Sequence, residues 1–210
     1  MSTISLKSSS LVAIASACAL AIAAGPVLAA PKVGEPAPQF TGIDSKGKTH
    51  SLADFKGKTV VLEWTNHGCP YVVKHYGTGN MQAMQKETTG NGIVWLTVVS
   101  SAPGTQGSVS PAEADELTKS RGAAPTAVLL DADGKIGRAY DALTTPHMYV
   151  ITGDGKLAYA GAIDDKPTTD NADVATAVNY VRNALTQVAA GKPADPAITR
   201  AYGCSIKYGS

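Results

Sequence analysis

The hydrophobic pattern predicts alternating buried strands and helices. Four runs, at 59–64, 93–99, 126–130 and 147–151, predict strands. The first is rich in β-branched and aromatic residues and lacks clean alternation, which is typical of a strand buried on both faces, and the second is also predicted to be buried. Four helices are predicted. The first starts at Pro70, is interrupted near Gly77 and Gly79, and continues over 81–86. The second runs from Ser110 to near Arg121, the third from 134 to near 140, and the last starts at Asp170.

Two hairpins complete the predicted elements. Residues 40–43 and 48–52 flank a turn at 44–47, and residues 157–160 return from the strand at 147–151. In the last helix, apolar residues at spacings of 4, 3, 4 and 3 form one stripe: Val174, Val178, Val181, Leu185 and Val188. This order predicts an α/β fold with a central mixed β-sheet, helices on both faces and an N-terminal β-hairpin extension.

Residues 1–29 predict an export signal. Lys7 precedes an apolar run from Leu11 to Ala24, and small or modest side chains follow up to Ala29. The run is shorter than the roughly 20 residues of a spanning helix. We therefore expect cleavage after Ala29 and export to the periplasm, or secretion where the cell has no outer membrane. The remainder predicts one domain over 30–191 and a C-terminal tail over 192–210 that carries Cys204.

Charge narrows the classes of function. The 210 residues include 18 Lys and Arg and 17 Asp and Glu, which gives a net charge of +1, and the basic residues do not cluster. This balance argues against nucleic acid or an anionic membrane surface as a partner. No segment after the signal is apolar enough to span a membrane.

The cysteines indicate where chemistry can occur. Signal cleavage would remove Cys18 and leave Cys69 and Cys204. In an oxidising compartment these two can form one disulfide, stay as two free thiols, or cycle between both states. Cys69 follows a predicted strand and precedes Pro70, which suits the first position of a helix. The positive end of that helix would favour a thiolate.

Polar residues near Cys69 extend the predicted site. His67, Lys74 and His75 are positive groups close in sequence, and a buried, inert cysteine is the alternative. Glu63 lies in an apolar strand, where burial would raise its pKa and suit it to proton transfer. The alternative is that Glu63 lies at the strand end as a carboxylate that is hydrated or paired with a cation. His67, Cys69 and His75 lack paired metal-ligand spacing, so we predict no metal and no cofactor.

The spacing around Cys69 resembles that of the thioredoxin superfamily. Glu63 and Trp64 lie six and five residues before Cys69, and Thr145-Pro146 precede a predicted strand. The resemblance implies a thioredoxin-like fold in which Pro146 is cis and faces Cys69. It also implies that Thr145 contacts the disulfide or thiol of the substrate.

Further motifs are similar to the AhpC/TSA branch, the peroxiredoxin-like redoxins. They comprise residues 33–40, Gly47-Lys48, Leu52, residues 55–58 with the strand that follows, and residues 161–164. The resemblance covers roughly residues 33–185. It implies an antioxidant, thiol-based oxidoreductase with a single active-site cysteine.

Departures from these families bear on the chemistry. Val72 stands where a Cys-x-x-Cys site has its second cysteine, so dithiol exchange within one helical turn is excluded. Asn66 stands where a peroxiredoxin has Thr or Ser, and Leu62 where it has Pro; Asn66 could still donate a hydrogen bond to a peroxide oxygen. The arginine that holds a peroxiredoxin thiolate has no matching position in this sequence, and Arg121 and Arg138 are candidates for its role.

These features give three hypotheses for function. In the first, Cys69 attacks a peroxide or a disulfide, Glu63 relays protons, and Cys204 resolves the sulfenic acid. The second is monothiol exchange on exported proteins through a mixed disulfide. The third is a metal- or protein-binding module without catalysis. A thiol that the sequence does not identify would donate electrons.

Two groups of residues make up the predicted site. They are Cys69, Cys204 and Glu63 in catalysis, and Asn66, His67, Pro70, Thr145 and Pro146 in the substrate groove, with Asn66, His67 and the helix start stabilising the thiolate. For Cys204, a permanent disulfide with Cys69 and an unrelated thiol are the alternatives to resolution.

Overall fold

A computed structural model describes residues 1–2 and 30–209. The predicted export signal at 1–29, with Cys18, lies almost entirely outside the described residues. Among the residues that are described, none of the helices has the length and apolar character needed to cross a membrane.

The strands and helices follow the predicted order. The strands are β1 (Thr41–Ile43), β2 (Thr49–Ser51), β3 (Val60–Trp64), β4 (Val94–Val99), β5 (Ala127–Leu130), β6 (Thr144–Thr145), β7 (His147–Ile151), β8 (Leu157–Gly161) and β9 (Cys204–Ser205). The α-helices are α1 (Pro70–Gly77), α2 (Asn80–Gly90), α3 (Pro111–Ser120), α4 (Lys135–Ala139) and α5 (Tyr180–Ala189), and short 3-10 helices cover Leu52–Phe55 and Asn171–Ala175. The sequence pattern does not predict β6 and β9.

Five strands form the central sheet in the order β5-β4-β3-β7-β8. β3, β4 and β5 are parallel, whereas β7 and β8 run antiparallel to their neighbours. At the centre, Leu62 pairs with Leu96 on one side and Tyr149 on the other. Every residue of β3, β4 and β7 is buried, which explains why these strands show no polar alternation. The mixed sheet confirms the predicted fold class.

Apolar side chains cover both faces of the sheet. One cluster joins the sheet to α4 and the C-terminal residues, with Leu62, Trp64, Tyr149, Ile136, Tyr140 and Ile206 among its members. The other joins the sheet to α1, α2 and α5, with Val61, Trp95, Val72, Met84, Val181 and Leu185 among its members. Cys69 belongs to the second cluster, so the candidate site lies on that face.

The prediction of one long final helix from Asp170 is wrong. Asp170 caps only the 3-10 helix, Val178 is 49% exposed, and α5 begins after Asn179. The chain between the two helices is held to the end of the sheet, because the Tyr180 N–H donates to Ile163 O at 3.0 Å. The apolar stripe is real from Val181 onward, and tertiary pairing overrides its earlier part.

The C-terminal segment, residues 192–209, folds back onto the domain. Ala194 and Ile206 are buried, and β9 pairs antiparallel with β6. In this pairing Cys204 lies opposite Thr145. The segment therefore reaches the residue that precedes Pro146, next to the start of α1.

Candidate active site

Cys69 lies where the loop after β3 enters α1. It is the N-cap residue, with extended dihedral angles, and Pro70 occupies the first turn, as predicted. The Cys69 N–H donates to Asn66 O at 3.0 Å, and Cys69 O accepts the first helical hydrogen bond from Val73 N–H at 2.8 Å. The Cys69 residue is 0% exposed, although the sequence suggested an accessible thiol. The cover comes from the C-terminal segment.

The sulfur of Cys69 has polar neighbours in spite of its burial. Its thiol donates to Thr145 O at 3.1 Å, and the Cys204 N–H donates to Sγ with a separation of 3.4 Å. Both cysteines are free thiols in this structure. Two thiols 135 residues apart in sequence are therefore held in contact without a bond between them.

The two thiols differ in acidity. Burial opposes ionisation of Cys69, but hydrogen bonds from the Cys204 thiol and from the Val72 and Cys204 N–H groups outweigh it, so the pKa of Cys69 is below its ordinary value. Burial, followed by the hydrogen bond and charge of Cys69, raises the pKa of Cys204 to about 11. Near neutral pH, Cys69 is the better nucleophile and Cys204 keeps its proton.

The Thr145-Pro146 peptide bond is cis, as the resemblance implied. Thr145 is 1% exposed, and its carbonyl contacts Cys69 while its Oγ1 donates to Cys204 O at 3.4 Å. Thr145 thus contacts both cysteines. The predicted approach of this segment to Cys69 is present, but β9 occupies the adjoining strand position.

Asn66 and His67 do not contact the sulfur. The Asn66 Oδ1 accepts from Gly68 N–H at 2.9 Å, and its Nδ2 donates to Gln106 O at 3.4 Å, so this side chain braces the loop. His67 is half-buried, and its Nδ1 has no hydrogen-bond partner among the described residues. The thiolate of Cys69 therefore depends on backbone and C-terminal donors rather than on these two side chains.

The carboxylate of Glu63 is fully buried and accepts hydrogen bonds from four side-chain donors. They are Tyr76 Oη at 2.8 Å, Gln85 Nε2 at 3.0 Å, Trp95 Nε1 at 2.8 Å and Thr97 Oγ1 at 3.1 Å. Burial raises the pKa of Glu63, and the donors oppose that rise. Within the described part of the chain no hydrogen bond joins Glu63 to Cys69, so the predicted proton relay has no direct contact.

A buried polar cluster that the sequence did not reveal anchors the C-terminal segment. The Tyr202 hydroxyl donates to Asp164 and lies 3.3 Å from His75 Nε2. Lys74, predicted to lie near the thiolate, donates instead to Lys166 O at 2.8 Å and lies 5.6 Å from the centre of the Tyr202 ring. Burial lowers the pKa of His75 to about 4, so it is neutral at neutral pH.

The two candidate arginines are engaged elsewhere. Arg121 donates to His67 O at 3.2 Å and stacks on Tyr76, and Arg138 donates to Gly209 O at 2.5 Å. Neither has a hydrogen bond to Cys69 in the described structure. Among the same residues, no three His, Cys, Asp or Glu side chains come together as metal ligands, so the metal-binding alternative gains no support.

Fold and site together define a thioredoxin-fold protein with a cysteine at the start of a helix, beside a cis-proline. The chain belongs to the Redoxin family, whose model matches residues 32–178. This membership confirms the resemblance to the redoxin branch, and it supports a thiol-based redox function.

Solved structures share the fold. A hypothetical protein from Sinorhizobium meliloti 1021 has 22% identity and a TM-score of 0.72, over 87% of this chain and 97% of its own. An uncharacterized conserved protein from Geobacillus kaustophilus has 24% identity and a TM-score of 0.72, over 85% and 93%. A thiol:disulfide interchange protein from Bacteroides sp. has 21% identity and a TM-score of 0.50, over 70% and 88%. No curated protein matches the chain.

Proposed function

We propose that this protein is an exported, peroxiredoxin-like oxidoreductase in which Cys69 is the nucleophile and Cys204 the resolving thiol. The observation that supports the proposal is the contact between the two cysteines: the Cys204 N–H lies 3.4 Å from Cys69 Sγ, and both thiols are free. Export rests on the sequence of residues 1–29.

The proposed reaction has three steps. The Cys69 thiolate attacks one peroxide oxygen, the O–O bond breaks, and the products are Cys69 sulfenic acid and water or an alcohol after proton uptake. The Cys204 sulfur then attacks the Cys69 sulfur, and water leaves as the disulfide forms. An external thiol donor returns both cysteines to the reduced state through thiol–disulfide exchange.

The surroundings of the sulfurs suit these roles. The lowered pKa of Cys69 supplies the thiolate, and the raised pKa of Cys204 keeps a proton available beside the oxidised sulfur. Thr145 orients Cys69 through its carbonyl, and Pro146 and Pro70 fix the backbone on the two sides of the sulfur. Asn66 and His67 act in this proposal as the loop that positions Cys69.

Disulfide exchange on exported proteins is the second candidate. The observation that favours it is that Arg121 and Arg138 are held by other groups, so neither of these two candidates is available to orient a peroxide at Cys69. In this reaction the Cys69 thiolate attacks a substrate disulfide, and Cys204 displaces the reduced substrate from the mixed disulfide.

A sulfenic acid trap separates the two candidates. Cys204→Ser protein receives a stoichiometric dose of hydrogen peroxide in the presence of dimedone, and peptide mass spectrometry locates the adduct. The peroxidase proposal expects dimedone on Cys69, and Cys69→Ser is the matched control. If Cys69 stays unmodified while it reduces a small disulfide, exchange is the function. If neither reaction occurs, both enzyme proposals are wrong.

A further inference from the structure

The reduction step must begin at one of two sulfurs that have different surroundings. Cys69 is 0% exposed, whereas Cys204 is partly exposed. Formation of a disulfide joins two thiols that are already hydrogen-bonded to each other, so it needs little rearrangement of the groups around them. The same groups that cover the thiol of Cys69 would then cover its sulfur in the disulfide.

The cover over Cys69 is fixed on two sides. On one side, β9 pairs with β6, which brings Cys204 against Thr145. On the other, Tyr202 is held by Asp164 and His75, both of which are buried. The segment from 202 to 205 is therefore held beside the start of α1 by hydrogen bonds on both sides.

Gly203 permits this close approach. Its φ of 137° is one that residues with side chains rarely adopt, and a Cβ there would lie 2.7 Å from the carbonyl carbon of Thr145. The other side of the segment is open: Gly203 and Tyr202 border a surface groove that Tyr71 and Asp165 also line. This groove adjoins the residue before Cys204, and of the two cysteines Cys204 is the one that is partly exposed to a thiol in solvent, since Cys69 is 0% exposed.

We infer that the electron donor attacks the sulfur of Cys204, and that Cys69 is the leaving group. This inference rests on the Cys69–Cys204 disulfide of the proposed function. The donor thiolate forms a bond to Cys204 Sγ, the Sγ–Sγ bond breaks, and its electron pair leaves on Cys69 as a thiolate. A second donor thiol then attacks the mixed disulfide, which releases Cys204 as a thiol and the donor as a disulfide.

Leaving-group chemistry favours the same direction. In thiol–disulfide exchange the thiol of lower pKa leaves faster. The N–H groups of Val72 and Cys204, which favour the Cys69 thiolate, remain in the disulfide and would stabilise this thiolate as it departs, whereas Cys204, whose pKa is raised, is the poorer leaving group. Accessibility and leaving-group stability thus agree, and the donor is expected to form its mixed disulfide with Cys204.

Thiol trapping on the full chain tests the inference. Diamide oxidises the purified protein to the disulfide, 2-mercaptoethanol reduces it briefly, and N-ethylmaleimide quenches the reaction before peptide mapping. We expect mercaptoethanol on Cys204 and maleimide on Cys69, with a bias of at least about tenfold, which is about 1.4 kcal/mol in activation free energy. Equal labelling, or mercaptoethanol mainly on Cys69, overturns the inference, and so does failure of diamide to join the two cysteines.

Two variants test whether the cover causes the bias. Gly203→Ala forces the segment away from Thr145, and Tyr202→Phe removes only the anchoring hydroxyl; both are expected to shift mercaptoethanol toward Cys69. Gly209→Ala is the control, since its Cβ would lie 3.5 Å from Ala102, an ordinary contact. An unchanged bias in both test variants overturns the role of the cover. Because diamide forms the disulfide, a protein that does not react with peroxide still gives a result.

Discussion

The ionisation of Cys69 depends on donors that come from the other end of the chain. The side chain and the N–H of Cys204 both lower the pKa of Cys69, against burial that would raise it. Removal of the Cys204 thiol leaves the backbone donor but withdraws the side-chain donor. A serine at the same position still offers an O–H group.

Cys204→Ala is therefore expected to raise the pKa of Cys69, while Cys204→Ser raises it less. The rate of alkylation by iodoacetamide, measured against pH, reports this pKa as the midpoint of the profile. The plateau rate at high pH reports accessibility separately. A midpoint that stays the same in Cys204→Ala would contradict the assigned hydrogen bond.

His147 carries a second testable consequence of burial. Burial lowers its pKa from 6.5 to about 4. Between pH 6.5 and pH 4, His147 is therefore protonated in the unfolded chain but neutral in the folded chain. Its contribution is complete above pH 6.5 and is lost as the pH falls toward 4. The loss reaches at most about 3 kcal/mol of unfolding free energy.

We expect His147→Asn to reduce the drop in unfolding free energy between pH 7 and pH 5, as measured by urea unfolding. His75 has the same direction of shift, and Glu63 has the opposite one, since burial raises its pKa. His75 and Glu63 are present in both the wild type and the variant, so their contributions to the pH dependence cancel when the two proteins are compared. An equal drop in wild type and variant would show that His147 titrates normally.

Helices that begin at local signals were predictable from the sequence. At α3, Ser110 Oγ accepts from Glu113 N–H at 3.3 Å, and Glu113 Oε2 accepts from Ser110 N–H at 2.7 Å. Both partners lie within four residues, so the pattern alone contains the whole interaction. The start of α5 was missed because it depends on pairing with the distant Ile163.

The capping box of α3 gives a prediction at this scale. Ser110→Ala should lower the free energy of unfolding by about 1 kcal/mol, because the Glu113 N–H loses its acceptor. Ser120→Ala, at the exposed end of the same helix, is the control and should change it by less than about 0.5 kcal/mol. Thermal or urea unfolding measures both. Equal effects would mean that the cap adds nothing to this helix.

The strands β6 and β9 could not be predicted from local sequence patterns. Each has two residues, and 59 residues separate Thr145 from Cys204. Neither strand has a hydrophobic period long enough to recognise. Cys69, Pro70 and the cis Pro146 were predictable from motif spacing, but Tyr202 and its partner Asp164 were not, because their contact is purely tertiary.

At the scale of the whole molecule, the C-terminal segment is part of the core. Ile206 is 8% exposed and packs with the sheet cluster, and Tyr208 donates to Ala142 O at 2.7 Å. Ile206→Ala is expected to cost about 2–5 kcal/mol of unfolding free energy. The same change at Ile198, which is 68% exposed, should cost less than about 0.5 kcal/mol.

Denaturant unfolding compares these two isoleucine variants directly. A cost at Ile206 that matches the cost at Ile198 would show that the segment is detached in solution. In that case Cys69 would also be open to alkylating reagents in the wild-type protein.

The wide separation of Cys69 and Cys204 in sequence has a consequence for biosynthesis. A ribosome makes Cys69 135 residues before its partner, so the nascent polypeptide carries an uncovered nucleophile throughout that interval. Cys69 can pair with other thiols until Cys204 has also emerged. Emergence of Cys204, rather than formation of the central sheet, therefore ends the period in which Cys69 is unprotected.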